Sequence, residues 1–235
     1  MDWSLPLNAS TQGVPIDNLF WLIFWITGVA FVLVEVGIIW FMWKYRAREG
    51  HKARYTHGHL GAEIIWTAIP AVTMIFLGIY SGMIWTDIRS PDSFPEDALT
   101  IGVTAKQFEW NVTYPGADRV LGNGDDFTIR NRFEFPVGEP VIVRLESEDV
   151  IHSFFVPELR VKQDAVPGMT IPIWFEATQS GEFQIACAEL CGLGHYRMRG
   201  LLQIKTMDEY GAWLQSKYDA NVPPADWGWD WDEGV

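Results

Sequence analysis

The sequence predicts a two-helix membrane hairpin followed by an all-β sandwich. Three observations carry that expectation: two long apolar runs before residue 87, a series of short β-rich runs after residue 98, and unequal charge between the two parts. With 49% hydrophobic and 14% aromatic residues, the chain of 235 is not a disordered one. Residues 1–86 balance Asp2, Asp17, Glu35, Glu49 and Glu63 against Lys44, Arg46, Arg48, Lys52 and Arg54. From Asp87 onward 25 acids face 12 Lys and Arg, so this part carries the whole formal charge of −13. That sign excludes a nucleic-acid partner, since phosphate binding needs the opposite one. It fits either a basic protein partner steered by the net field or adaptation to a saline medium.

Residues 1–17 lack Lys and Arg and contain Pro6, Gly13 and Pro15, which suggests an irregular, exposed lead-in. A first span is expected over about 16–43, because roughly 20 apolar residues cross a bilayer as a helix. Positive charge follows this run instead of preceding it, which argues for a retained anchor over a cleaved leader. The link from Lys44 to Ala62 has five basic residues against one acid, together with His51, His57 and His59, and is expected in the cytoplasm. A second span is expected over about 64–86, with Pro70 tolerated inside it. Both chain ends then lie outside. Charged Glu35 facing lipid would cost about 2.5–3.5 kcal/mol, so the hairpin is expected to pack against a larger membrane partner.

A linker at Ser90–Glu96 leads to seven expected strand runs. They are Leu99 to Ala105, Gln107 to Tyr114, Phe127 to Phe135, Pro140 to Glu146, Thr170 to Ala177, Glu182 to Ala186 and Gly200 to Lys205. Alternation in Val141-Ile-Val-Arg-Leu-Glu146 and this spacing argue a sandwich or barrel. Thr206-Met-Asp-Glu209 is a capping-box pattern that should open a short helix to about Tyr218. The expected organisation is therefore a lead-in and hairpin over 1–89, a β-domain over 90–220 and a Trp- and Asp-rich tail over 221–235.

Both cysteines, one histidine and a methionine fall within twelve residues, in Cys187-Ala-Glu189-Leu-Cys191-Gly-Leu-Gly-His195-Tyr-Arg-Met198. Thiolate, imidazole and thioether are soft or borderline ligands, suited to copper or zinc and not to magnesium or calcium. His152, in Asp149-Val-Ile-His152, is the one other histidine of the outer part and the candidate remote ligand. Four readings compete. A Cys187–Cys191 disulfide leaves His195 and Met198 without a task. A Cys₂His₂ zinc site ignores Met198. A mononuclear blue-copper site of His152, Cys191, His195 and Met198 leaves Cys187 surplus. A dinuclear copper site bridged by both thiolates uses every member.

These residues resemble the CuA loop of cytochrome c oxidase subunit II, in the pattern Cys-x-Glu-x-Cys-x₃-His-x₂-Met with an upstream Asp-Val-Ile-His. Glu63-Ile-Ile-Trp66-Thr-Ala-Ile-Pro70, Lys106-Gln-Phe108-Glu-Trp110 and Val161-Lys-Gln-Asp-Ala-Val-Pro-Gly168 resemble further segments of that family, in its order along the chain. The resemblance implies a cupredoxin-like Greek-key sandwich carrying two copper ions. Cys187 and Cys191 would bridge them, His152 and Met198 would complete one, and His195 with the carbonyl of Glu189 the other. The Glu189 side chain would reach a magnesium or manganese ion shared with the catalytic subunit. The implied partners are the haem-copper catalytic subunit I, other oxidase subunits and a cytochrome c donor. The chain would be the electron-accepting part of a proton-translocating oxidoreductase whose oxygen chemistry lies in the partner. Its implied location is a bacterial or archaeal cytoplasmic membrane, with the copper domain and both termini periplasmic.

The family often has tryptophan where this chain has Phe108, so electrons would arrive through Phe108, Trp110 or another aromatic. Glu63 matches a carboxylate at the mouth of a proton path. No Cys-x-x-Cys-His is present, so no fused c-type haem is expected. The alternative in a different class is a stand-alone, membrane-anchored blue-copper carrier.

Overall fold

The computed structural model describes residues 5–52 and 55–220, and the expected Trp-rich tail lies outside them. It divides into two compact units, Pro15–Asp87 and a second made of Met1–Val14 with Ile88–Val235.

The first unit holds most of α1 (Gly13–Lys44) and α2 (Leu60–Arg89). At 1.5 Å per residue both exceed the roughly 30 Å of a bilayer's hydrocarbon. Neither helix buries any of its apolar window, so Leu33, Phe31, Ile65 and Val72 stand on the outside. That inversion is stable only in an apolar solvent. Thr27, Thr73 and Thr86 return their hydroxyl donors to the carbonyls of Ile23, Ile69 and Gly82, one turn back, so these three hydroxyls are paired within their own helices. At the end of α1, Lys44 Nζ sits 4.2 Å from the Trp40 ring centroid, an arrangement suited to a membrane–water boundary.

The second unit is a sandwich of two five-stranded sheets, the fold class expected from the sequence. One sheet orders β3 (Phe127–Arg130), β2 (Glu109–Tyr114), β1 (Leu99–Lys106), β5 (Pro140–Ser147) and β8 (Ile171–Glu176). The other orders β4 (Arg132–Pro136), β10 (Arg199–Lys205), β9 (Gly181–Cys187), β6 (His152–Val156) and β7 (Val161–Ala165). Strands β1 and β2 bury alternate residues, as a pleated strand with one covered face must. Trp110, Tyr114, Phe133, Phe135, Phe154 and Phe175 fill the space between the sheets. A capping box at Thr206 and Glu209 opens α3 (Met207–Asp219), whose Trp213 packs edge-on against Tyr114.

Three local expectations are corrected. The run from Phe127 to Phe135 is two strands in different sheets, because Asn131 takes a left-handed φ of 54° that turns the chain. Asn131 also bonds both sheets: its N–H donates to the Trp110 carbonyl, and its own carbonyl accepts from Leu201 N, each at 2.8 Å. Strands β6 and β7 were not expected. β6 is short and stops before Pro157, and β7 is a polar edge strand without a clean alternation.

The lead-in is not an exposed loop throughout. Ala9, Ser10 and Gln12 are buried, and the segment bonds through Ala9 N to Glu158 O (2.8 Å) and Thr178 N to Ala9 O (2.9 Å). Small side chains permit this close approach, and no apolar periodicity advertises it.

Candidate metal centre

The β9–β10 pairing sets the frame. Cys187 ends β9 and Met198 immediately precedes β10, and the ladder continues across them with Cys187 N donating to Met198 O at 3.1 Å. Residues 188–197 are thus the loop of a hairpin, and Cys191 and His195 ride on it. His152 comes from outside the hairpin. It is the first residue of β6, which pairs with β9 through Phe154 opposite Cys187, and Ala188 N donates to Ser153 O at 3.0 Å.

His152, Cys187, Cys191 and Met198 are all buried, and the donor atoms of His152, Cys187 and Cys191 lie within 4.8 Å of one another. Cys187 Sγ is 3.9 Å from Cys191 Sγ. It is also 3.9 Å from His152 Nδ1 and 3.2 Å from the Glu189 carbonyl oxygen. Cys191 Sγ lies 3.7 Å from His195 Nδ1 and 3.8 Å from Met198 Sδ. Both cysteines are free. Their separation is far beyond the roughly 2.05 Å of a disulfide. It is short enough for both sulfurs to reach one ion at a metal–sulfur length of about 2.3 Å. The donor set therefore fits a thiolate-bound soft metal, with one imidazole beside each sulfur.

Electrostatics prepare the thiols unequally. Burial opposes ionisation at Cys187, but hydrogen bonds with His152, with the backbone at Ser153 and Glu189, and with His195 hold it down to about 6. Burial and the negative charge on Cys187 push Cys191 up to about 12. The two thiols are thus held apart in acidity, with Cys187 the more readily ionised, and a metal bound through both sulfurs favours their deprotonated forms.

His152 Nε2 faces Asp149 Oδ1 at 2.8 Å, which orients the ring with Nε2 toward the carboxylate and Nδ1 toward the sulfurs. Burial lowers the His152 pKa, but Cys187 and Asp149 outweigh it and the net shift is upward. Burial works the other way on Asp149, where hydrogen bonds from His152 and from the Gln107 and Val150 amides prevail and its carboxyl falls below the usual range. Asp149 and Gln107 lie in segments that carry the family resemblance, but sequence reasoning gave neither a role at the site. Asp149 also stands three residues before a candidate ligand, a signal that could have found it.

Of the other expected residues, Phe108 is partly buried and its ring lies against the metal-site loop at Gly192 and Gly194. Trp110 is fully buried, 6.3 Å centroid to centroid from His152, so it has no surface to offer a donor protein. Glu189 is exposed, and Glu63 stands in the first turn of α2.

Residues 100–204 match the family model described as cytochrome c oxidase subunit II, periplasmic domain, and residues 1–84 match that of its transmembrane domain. α1 and α2 are accordingly membrane anchors. The alternative cytochrome c oxidase subunit 2 of Bradyrhizobium diazoefficiens is 31% identical over 240 residues, covering 92% of this chain and 84% of that one. Cytochrome c oxidase subunit 2 of Thermostichus vulcanus is 31% identical, covering 94% and 80%. The crystal structure of the periplasmic domain of subunit II of cytochrome oxidase from Bradyrhizobium japonicum is 30% identical, with a TM-score of 0.48 over 55% of this chain and 99% of that one. On the two family models and these full-length relatives, the chain belongs to the cytochrome c oxidase subunit II family.

Proposed function

We propose that this chain is the electron-accepting subunit of a respiratory terminal oxidase, receiving electrons from a cytochrome c at a dinuclear copper centre and delivering them to the haem-copper catalytic subunit. The carrying observation is the pair of free, buried thiols 3.9 Å apart with an imidazole beside each. A copper pair held there supplies a one-electron couple spread over two metals, so little geometry changes on transfer.

Cys187 and Cys191 would hold the copper pair through their sulfurs, with His152, Met198, His195 and the Glu189 carbonyl as the further ligands, His152 with Met198 on one side and His195 with Glu189 on the other. Each of these pairings draws one donor from beside each sulfur, an arrangement compatible with an ion between the two sulfurs. The Met198 thioether and the second cysteine count against a closed zinc site and a mononuclear blue-copper site respectively. The Glu189 side chain, exposed beside the centre, is the proposed ligand of a magnesium or manganese ion at the catalytic subunit.

Phe108 is the proposed point of electron arrival, since its ring touches the loop while Trp110 is enclosed. The acidic outer domain would steer a basic donor toward it. Packing of residues 9–12 into the β-domain supports a periplasmic location for both ends of a two-span chain, because the basic link between the spans favours the cytoplasm. Glu63, near that link, is the proposed mouth of a proton path.

Metal analysis and electron paramagnetic resonance on the full chain test the reading. Two coppers per chain sharing one unpaired electron is the expected result, and one copper with a mononuclear spectrum overturns it. Turnover with basic and acidic cytochromes across ionic strength tests the docking charge: only the basic donor should slow steeply as salt rises.

A further inference from the structure

The turn between β1 and β2 meets the metal centre at three points. The backbone N–H of Gln107 donates to Asp149 Oδ2 at 2.7 Å, and the other oxygen of Asp149 holds His152 Nε2 at 2.8 Å. The side-chain amide of Gln107 donates from Nε2 to the Cys191 carbonyl at 2.6 Å. The ring of Phe108 covers the next residues: a Cβ added at Gly194 would fall 2.4 Å from Phe108 Cδ2, and one at Gly192 would fall 2.8 Å from Gln107 Nε2. Gly192, at φ +139°, and Gly194 are therefore what let the turn approach this closely.

We infer that Gln107 is a positioning residue that clamps the two ligand-bearing segments to each other, His152 through Asp149 and Cys191 through its own amide. The loop needs such a tie. It leaves Leu190, Leu193 and Tyr196 more than three-quarters exposed, so apolar burial does little to hold it. Its internal bonds are single-turn ones, His195 N to Gly192 O at 3.1 Å and Met198 N to His195 O at 3.2 Å. The side chain of Gln107 joins this loop to a different element, and its backbone joins the same element to the histidine. Metal ligands held by outer hydrogen bonds lose affinity when those bonds go, commonly by 10- to 100-fold.

The consequence for copper rests on the function proposed above; the clamp itself does not, and the test separates them. In the copper-free full chain in detergent, hydrogen exchange is followed at the His195 amide, with Val143 in the far sheet as reference. Gln107→Leu, similar in size but without a donor, should speed exchange at His195 by about tenfold, the scale of one lost net hydrogen bond, and leave Val143 unchanged. Gln107→Asn, one methylene short, should behave like Leu. In the copper-loaded oxidase complex, Gln107→Leu should keep its copper but release it to a chelator about tenfold faster, with displaced sulfur-to-copper absorption bands.

Equal exchange at His195 in wild type and Gln107→Leu overturns the clamp, as does acceleration at His195 and Val143 alike. A Gln107→Asn chain that matches wild type also overturns it, since polarity without reach would then suffice. Wild-type complex that carries no copper at these ligands overturns the functional reading, while the exchange arm still decides the clamp.

Discussion

The ligand candidates divide into those carried by strands and those carried by a loop, and the two groups are held by different physics. His152 begins β6, Cys187 ends β9 and Met198 abuts β10, so ladder bonds and the intersheet core fix them before any metal arrives. Cys191 and His195 sit on the hairpin loop, whose apolar side chains point to solvent and whose bonds are local. The strand-borne half is rigid by packing. The loop-borne half draws on local turn bonds, on its ties to the β1–β2 turn and, when metal is bound, on the metal.

The contrast can be broken at several points. Replacing Cys187 by serine removes the one bridge that belongs to the rigid half, and the electron-sharing resonance should vanish altogether. A resonance that survives Cys187→Ser would reassign the bridge.

Phe154→Ala strikes the packing under the same half. Its ring is fully buried between Trp110 and Phe133, at 5.8 Å from each, so the truncation should destabilise the β-domain by about 3–5 kcal/mol. Denaturant unfolding of the full chain in detergent reads this. An unchanged midpoint would show that the strands draw their order from elsewhere.

Gly194→Ala tests the loop-borne half. The new methyl meets the Phe108 ring and forces loop or ring aside, at a cost of about 1–3 kcal/mol that should appear as faster copper loss with little change in the unfolding midpoint. Met198→Leu is the mildest change. Volume is nearly conserved, copper should stay bound, and the reduction potential should move, which an optical redox titration would detect. Loss of copper in Met198→Leu would mean that the thioether holds the site together instead of tuning it.

Much of this was legible in one dimension. Apolar runs long enough to cross a bilayer announce themselves, because a helix in lipid must be apolar all round. The Cys187–Met198 cluster was also readable, since a hairpin keeps residues that are near in sequence near in space. His152 could be nominated because histidine is scarce in the outer part. Its 35-residue separation from Cys187 is closed only by the pairing of β6 with β9.

What the sequence by itself determined was therefore the membrane anchoring and the all-β domain, together with a candidate set of soft-metal ligands. The tertiary structure alone decided that Asn131 sends one apparent strand into two sheets, that residues 9–12 are buried, that Trp110 is enclosed, and that Asp149 and Gln107 stand behind the ligands. Composition and spacing report local propensity and burial. Which distant strands pair, and which polar groups then meet, follows from cooperative packing of the whole sandwich.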